Sequence, residues 1–354
     1  MKAGEKKKRY FTEELLRWHH ELNNRQLPWK KETDPYKIWL SEIILQQTRA
    51  EQGLPYYHKF IKAYPDVKKL AAAEDEEVFL LWQGLGYYSR CRNLLKAARI
   101  ISKEYNGIFP DDFDTILSLP GVGNYTASAI ASFAFSLPYA VVDGNVYRVL
   151  SRYFGIATPI DSTKGKKEFA VLAQELLDKE QPGAFNQAIM DFGASVCKPA
   201  QPLCDQCYLA DNCNALKYSQ VDLLPVKEKR LIVKDRHFHY FLLEHGGELY
   251  IQLRTANDIW QHLHEPFLIE WGDDYKLSPS WQQLEKNISD GPLLIHTGKQ
   301  RLTHQLIHSR FYHITLKSKP VFLSKRGKWV AKKMLKNFAF PKTIISFFNG
   351  NEYI

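Results

Sequence analysis

The run Leu119-Pro120-Gly121-Val122-Gly123-Asn124-Tyr125-Thr126-Ala127 organises everything around it. Two glycines two positions apart, directly ahead of an alanine-rich helix, let the backbone come close to another group. The free amides at such a helix start suit a phosphate. Gly-x-Gly alone marks only an interhelical turn; the preceding Leu-Pro sharpens the signal. Outward from it, residues 35–135 carry helical patterning, with breaks at Pro65-Asp66, Gly84 and Gly86, Asn106-Gly107 and Pro110-Asp111-Asp112. Helical signals return over residues 146–153, 166–177 and 184–192. Upstream, Lys6 to Arg9 is expected to be a mobile basic arm, followed by a helix capped at Thr12 and broken at Leu27-Pro28-Trp29-Lys30. Residues 1–216 therefore predict an all-α domain.

The texture changes beyond it. Residues 217–230 are polar and basic, with Pro225, and predict a linker. Residues 231–233, 238–243, 248–253 and 311–316 are short strand-like runs, and Gly246-Gly247 stands where a hairpin turns. Residues 280–286 and 327–337 look helical, so 231–354 predicts a second, α+β domain. The whole chain of 354 residues is 45% hydrophobic, which excludes a disordered protein. Its 48 Lys and Arg against 39 Asp and Glu give net +9, which favours a polyanionic partner: nucleic acid first, an anionic membrane surface second. A merely solvated basic surface is the plain alternative. An apolar run long enough to span a membrane is absent, and no apolar segment follows the basic start as in a signal peptide; a cytoplasmic protein is expected.

Four of five cysteines crowd together as Cys197, Cys204, Cys207 and Cys213, spaced C-x6-C-x2-C-x5-C. Zinc sites usually pair two C-x2-C units or add histidine. Four thiolates in one loop suit a cubane iron–sulfur cluster, with zinc and disulfides as the alternatives. Cys91 is expected to be inert and buried. Glu42, in Trp39-Leu40-Ser41-Glu42-Ile43-Ile44-Leu45-Gln46-Gln47-Thr48, shares a helix stripe with Ile38, Leu45 and Gln46. Desolvation there raises a carboxyl pKa and makes a general acid; a glutamate at the helix edge is the plain alternative. Asp143, before Gly144-Asn145-Val146, is either an N-cap or a carboxylate that stabilises developing positive charge.

The glycine run (about 117–135) resembles the helix-hairpin-helix element of DNA repair glycosylases. The cysteine spacing is similar to that of endonuclease III and MutY-type enzymes. The string around Glu42 closely resembles the MutY family of adenine DNA glycosylases, and the resemblance extends from Leu27-Pro28-Trp29 to the last helix. It implies a multi-domain enzyme: an all-α helix-hairpin-helix glycosylase domain with a 4Fe-4S cluster on the 197–213 loop, then an α+β Nudix-like domain. The implied substrate is double-stranded DNA in which adenine is mispaired with 8-oxoguanine or guanine, bound by a monomer. Glu42 would protonate the adenine and Asp143 stabilise the oxocarbenium-like sugar, oriented by Asn145. Tyr125 stands where bifunctional members place a lysine, and a phenol forms no imine.

The same resemblance places Gly121 and Gly123 on the DNA backbone, and Gln47, Thr48 and Tyr87 as the wedge that flips the base. Trp29, Lys30 and Gln187 fall on the adenine pocket. In the second domain, the stretches Ile259-Trp260-Gln261-His262-Leu263-His264-Glu265-Pro266 and Leu302-Thr303-His304 carry the match. A hydrolytic R-E-x-x-E-E cluster is missing, so this domain is expected to bind. The family's Phe-Ser-His triplet reads Leu306-Ile307-His308; His308 or Ser309 is expected to read 8-oxoguanine from a loop. A thymine or uracil mismatch glycosylase and a non-catalytic lesion binder are the rivals. Glu42 and the long second domain argue against the first, Glu42 with Asp143 against the second.

Overall fold

A computed structural model describes residues 3–228, 232–288, 290–324, 326–351 and 353. Its helices are α1 (Ala3–Glu21), α2 (Pro35–Leu45), α3 (Ala50–Ala63), α4 (Val67–Ala72), α5 (Asp75–Trp82), α6 (Ser89–Glu104), α7 (Phe113–Ser118), α8 (Asn124–Phe135), α9 (Gly144–Phe154), α10 (Thr163–Leu176), α11 (Pro182–Ser195) and α12 (Asn214–Lys217), with α13 (Pro279–Glu285), α14 (Val321–Ser324) and α15 (Lys342–Gly350) later in the chain. The strands are β1 (Lys234–His245), β2 (Glu248–Leu253), β3 (His264–Glu265), β4 (Phe267–Glu270), β5 (Leu293–Arg301), β6 (Gln305–Thr315) and β7 (Gly327–Ala331). They form two units: Met1–Ala72 with Asn93–Lys229, and Ala73–Arg92 with Arg230–Ile354. Among the described residues no helix is long and apolar enough to cross a membrane.

In the first unit, α1, α9, α10 and α11 bury one apolar core that includes Phe11, Leu15, Trp18, Leu150, Phe169, Phe185 and Phe192. Each such side chain contributes roughly 1.5–3 kcal/mol on burial. Trp18 meets Phe192 edge-on at 5.0 Å. The 119–123 turn joins α7 to α8. Gly121 adopts φ +79°, and a Cβ there would meet Asn93 Cβ at 2.7 Å. Gly123 has an ordinary φ of −102° with open space around a would-be Cβ; it caps α8 without any side-chain acceptor. One glycine is required by the turn's conformation; the other leaves the helix amides uncovered.

Two expectations for this unit fail. Lys6 to Arg9 is not a mobile arm, and the first helix begins at Ala3 rather than at a Thr12 cap. Tertiary partners order it: Lys7 Nζ reaches Asn214 Oδ1 at 2.8 Å and lies over the Tyr153 ring, and Lys8 pairs with Glu175 at 2.6 Å. Thr12 Oγ1 instead donates to the Leu176 carbonyl at 2.8 Å. The expected linker is pinned along much of its described length. Arg152 Nε donates to the Leu224 carbonyl at 3.1 Å, Ile160 N to Val226 O at 3.0 Å, and Glu228 N to Asp161 at 3.0 Å.

The second unit is a mixed sheet in the order β3-β2-β1-β6-β5, with β4 also on β1 and β7 on β2. β1 and β6 run parallel with His237 opposite His308; the other pairs are antiparallel. The period-2 pattern puts Phe241 and Tyr312 on one face against Trp281 of α13, and Phe311 on the other, stacked on Phe347 of α15 at 4.2 Å. Gly246 and Gly247 turn the β1–β2 hairpin with positive φ. Three local expectations change. Residues 327–331 form β7 rather than a helix, because they pair along β2; 332–337 continue as a 3-10 turn. Ile232 and Val233 precede β1, and Leu231 lies outside the described residues. The third is that Leu306-Ile307-His308-Ser309 is β6 strand, not loop.

Candidate active site

The first unit encloses an open cavity of about 1770 Å³. Its wall brings together Trp29, Lys30, Glu42, Gln47, Thr48, Gly123, Tyr125, Asp143, Asn145 and Gln187, residues far apart in the chain that the sequence singled out. Glu42 comes from α2, Tyr125 from the start of α8, Asp143 from the cap of α9, and Gln187 from α11. Gly121 lies just outside, in the hairpin turn.

The two carboxyl groups sit in different surroundings. Glu42 is 7% exposed. Loss of water pushes its pKa up to about 7; the negative charge of Asp143 adds to the rise and a hydrogen bond from Tyr125 opposes it. The Tyr125 hydroxyl also lies 3.4 Å from Met190 Sδ, a weak acceptor beside a carboxylate. Burial, together with Glu42 and Asp143, holds the phenol well above its ordinary value. Burial likewise raises Asp143, but three donors pull it back: the backbone N–H groups of Asn145 and Val146 and the Asn145 side-chain amide, each at 2.8 Å. Three charge-favouring bonds against one favour the ionised form of Asp143 over that of Glu42.

Behind Asp143, Arg148 Nη2 donates to Asn145 Oδ1 at 2.8 Å and to the Gly193 carbonyl at 2.6 Å, while its Nε donates to the Cys197 carbonyl at 2.7 Å. Arg152 Nη1 reaches Cys197 Sγ at 3.5 Å. Cys197, Cys204, Cys207 and Cys213 are all free thiols, half-buried in this loop. Burial lifts the Cys204, Cys207 and Cys213 thiols, Cys207 to about 12, and the neighbouring sulfurs add to each rise. Among the described residues no set of three or more His, Cys, Asp or Glu is arranged for a single metal ion. Cys91 is fully buried and its thiol is pushed far up by desolvation.

Several groups at the site went unread in the sequence: Arg25, Arg148, Met190 and Asp191. Asp191 carried a signal, a carboxylate one turn after Gln187 in a helix with no other charged residue. Two expected wedge residues do share an unusual backbone: Gln47 has φ 56° and Tyr87 φ 47°, a left-handed state that bulky residues rarely adopt.

In the second unit the expected recognition residues are engaged elsewhere. Ser309 is 1% exposed, with its hydroxyl on the Gly298 carbonyl at 3.2 Å and near Thr343. The His308 ring bonds Asp235 at 2.6 Å and stacks on His237 at 4.7 Å. Tyr87 belongs to this same unit, and its hydroxyl lies 2.7 Å from Thr303 Oγ1, in the turn between β5 and β6. Thr303 is thus an exposed hydroxyl beside a residue singled out for DNA.

The opposing influences on Glu42 give a test of sign. By carboxyl-labelled NMR, Glu42 should titrate near pH 7. Asp143→Asn should move its midpoint down, by removing a negative neighbour, and Tyr125→Phe should move it up, by removing a bond to the charged form. Shifts of one sign in both variants would overturn this arrangement.

Comparison with known proteins gives the family. The model of the HhH-GPD superfamily of base excision DNA repair proteins matches residues 40–179. The adenine DNA glycosylase of Buchnera aphidicola subsp. Schizaphis graminum is 31% identical over 345 residues, spanning 94% of this chain and 96% of its own. The human adenine DNA glycosylase is 44% identical over 214 residues, spanning 58% of this chain and 39% of its own. Among solved structures, a thermostable thymine-DNA glycosylase superposes with a TM-score of 0.57 at 31% identity, spanning 61% of this chain and 99% of that one. With near full-length likeness to one such enzyme, this chain belongs to the adenine DNA glycosylases of the HhH-GPD superfamily.

Proposed function

We propose that this glycosylase removes adenine mispaired with 8-oxoguanine or guanine, without cutting the strand. The carrying observation is the carboxyl pair of one cavity: Glu42, buried with its pKa pushed up to about 7, and Asp143, whose charged form is favoured by three N–H bonds. Glu42 gives its proton to adenine N7. The C1′–N9 bond breaks, its electron pair leaves with the base, and adenine departs neutral. Asp143 faces the cationic sugar until water adds at C1′ and releases its proton to a carboxylate. Asn145 orients Asp143. Tyr125 offers no amine for an imine, so the strand is left intact. Gln47, Thr48 and Tyr87 open the duplex, Gly121 and Gly123 bring the α8 amides to a phosphate, and Trp29, Lys30 and Gln187 line the base pocket.

The four thiols suit a 4Fe-4S cluster. The donor set is all sulfur, the sulfurs feel one another electrostatically, and half-buried thiols pushed upward need a cationic centre to ionise together. Cys197, Cys204, Cys207 and Cys213 would hold it; bound, it would clamp the 197–213 loop. The mixed sheet with helices on both faces is read as a Nudix-like module that binds the opposite base. Oxidation turns guanine N7 into a donor, so its reader must accept. The Thr303 hydroxyl beside Tyr87 suits this better than Ser309, which is buried and bonded.

Single-turnover adenine release tests the carboxylates. Glu42→Gln and Asp143→Asn should each lose at least about a hundredfold while still binding mispaired duplex. In the wild type the rate should fall as pH rises through about 7, where the acid loses its proton, and fall again on the acid side as Asp143 is neutralised. A rate that climbed through pH 7 would contradict Glu42 as the acid.

Metal analysis of the purified protein should find four irons per chain, as a cubane cluster requires, and one zinc would refute the cluster. Thr303→Val should narrow the affinity gap between A:8-oxoguanine and A:G duplexes at fixed salt, by roughly fivefold or more for a lost bond. Ser309→Ala should leave the gap unchanged; the reverse pattern would return recognition to β6.

A further inference from the structure

Asp191 is a carboxylate of α11, fully buried, on the wall of the same cavity. Its Oδ1 accepts Arg25 Nη1 at 3.0 Å. Its Oδ2 accepts Asn23 Nδ2 at 2.9 Å and Gln187 Nε2 at 3.0 Å and is paired with Lys30 Nζ at 2.5 Å. Lys30 Nζ also donates to the Arg25 carbonyl. None of the chemistry proposed above uses Asp191.

A carboxylate ion-paired to two cations can only accept hydrogen bonds. A glutamine amide has a donor end and an acceptor end, and it can turn over at little intrinsic cost. Facing Asp191, Gln187 must present its NH2 end. Its Oε1 is thereby the end left for whatever enters the cavity. An oxygen there pairs with a base that offers an amino group and repels one that offers a carbonyl at the same position. Adenine carries an amino group at C6; hypoxanthine carries an oxygen.

We propose that Asp191 is a positioning residue that locks the Gln187 amide with its oxygen towards the cavity, and so sets the preference for a 6-amino over a 6-oxo purine. The inference rests on Gln187 lining the base pocket. Replacing Asp191 by asparagine at equal size, with the amide oxygen kept on Arg25, puts an NH2 where Oδ2 stood, facing Gln187, while Lys30 keeps the Arg25 carbonyl. Gln187 then turns over and shows its own NH2 to the cavity, where a 6-oxo base is the better partner.

The test compares single-turnover release of adenine and hypoxanthine, each opposite guanine, at one pH and salt concentration. Asp191→Asn is expected to lower the adenine-to-hypoxanthine rate ratio by about tenfold or more, chiefly through slower adenine release, as for one hydrogen bond replaced by repulsion. A purely structural role would slow both bases alike. Gln187→Ala should lower the ratio by itself, and adding Asp191→Asn to it should leave the ratio where it is.

If Gln187→Ala leaves the wild-type ratio intact, Gln187 does not face the base. If it changes the ratio while folded Asp191→Asn does not, the orienting role of Asp191 is wrong. A measurement on the unaltered protein stands beside these, in case Asp191→Asn fails to fold. The Gln187 side-chain NH2, assigned by its loss in Gln187→Ala, should be protected from exchange with and without saturating free adenine. A rapidly exchanging NH2 overturns the lock.

Discussion

Two amide N–H groups, of Asn145 and Val146, open α9 without intrahelical partners, and Asp143 accepts both at 2.8 Å. The group that closes the helix is also the negative charge of the cavity. What α9 carries depends on that closure. Arg148 and Arg152 are buried cations, a costly feature unless their donors are met. They are met by carbonyls of Gly144, Gly193, Cys197, Lys198, Pro199 and Leu224. The cysteine loop and the chain that follows it are thus wound onto a helix whose first turn is the site.

The cavity works by inequality. Two carboxyl groups share one desolvated space, and their hydrogen bonds are distributed three to one. That distribution sets the two groups apart more firmly than depth of burial does, since burial raises both. Further back, Asp191 shows the opposite use of a carboxylate: fully buried and paired with Arg25 and Lys30. Its influence passes through the side chains that it holds.

Features written in adjacent residues were readable. The 119–127 run and the Asp143 cap are local constraints, one imposed by a turn and the other by a helix end, and the cysteine spacing is likewise local. Glu42 was readable because one acidic residue interrupted an apolar stripe. Errors arose where distant partners decide. The basic run 6–9 looked mobile until Tyr153, Asn214 and Glu175 are brought to it. Residues 327–331 became a strand because β2 offers an edge. Ser309 looked like a loop hydroxyl, yet it occupies an inward position between Ile307 and Phe311, where alternation buries it whatever its polarity. Thr303 carries no local signal, since only the fold puts it beside Tyr87.

The second unit is assembled from two separated pieces of chain, and this bears on how it folds. Residues 73–92 leave the ribosome well before β1 exists. Yet Gln83 supplies the acceptor for Phe340 N at 3.0 Å, Phe79 packs on His262, and Arg92 donates to the Gln261 carbonyl at 3.3 Å. Those contacts, and the parallel pairing of β1 with β6, close very long loops, which slows folding. A fragment beginning at residue 230 lacks part of its own unit. The sheet completes only after nearly the whole chain has been synthesised, so residues 73–92 remain a nascent-chain segment awaiting partners that arrive last.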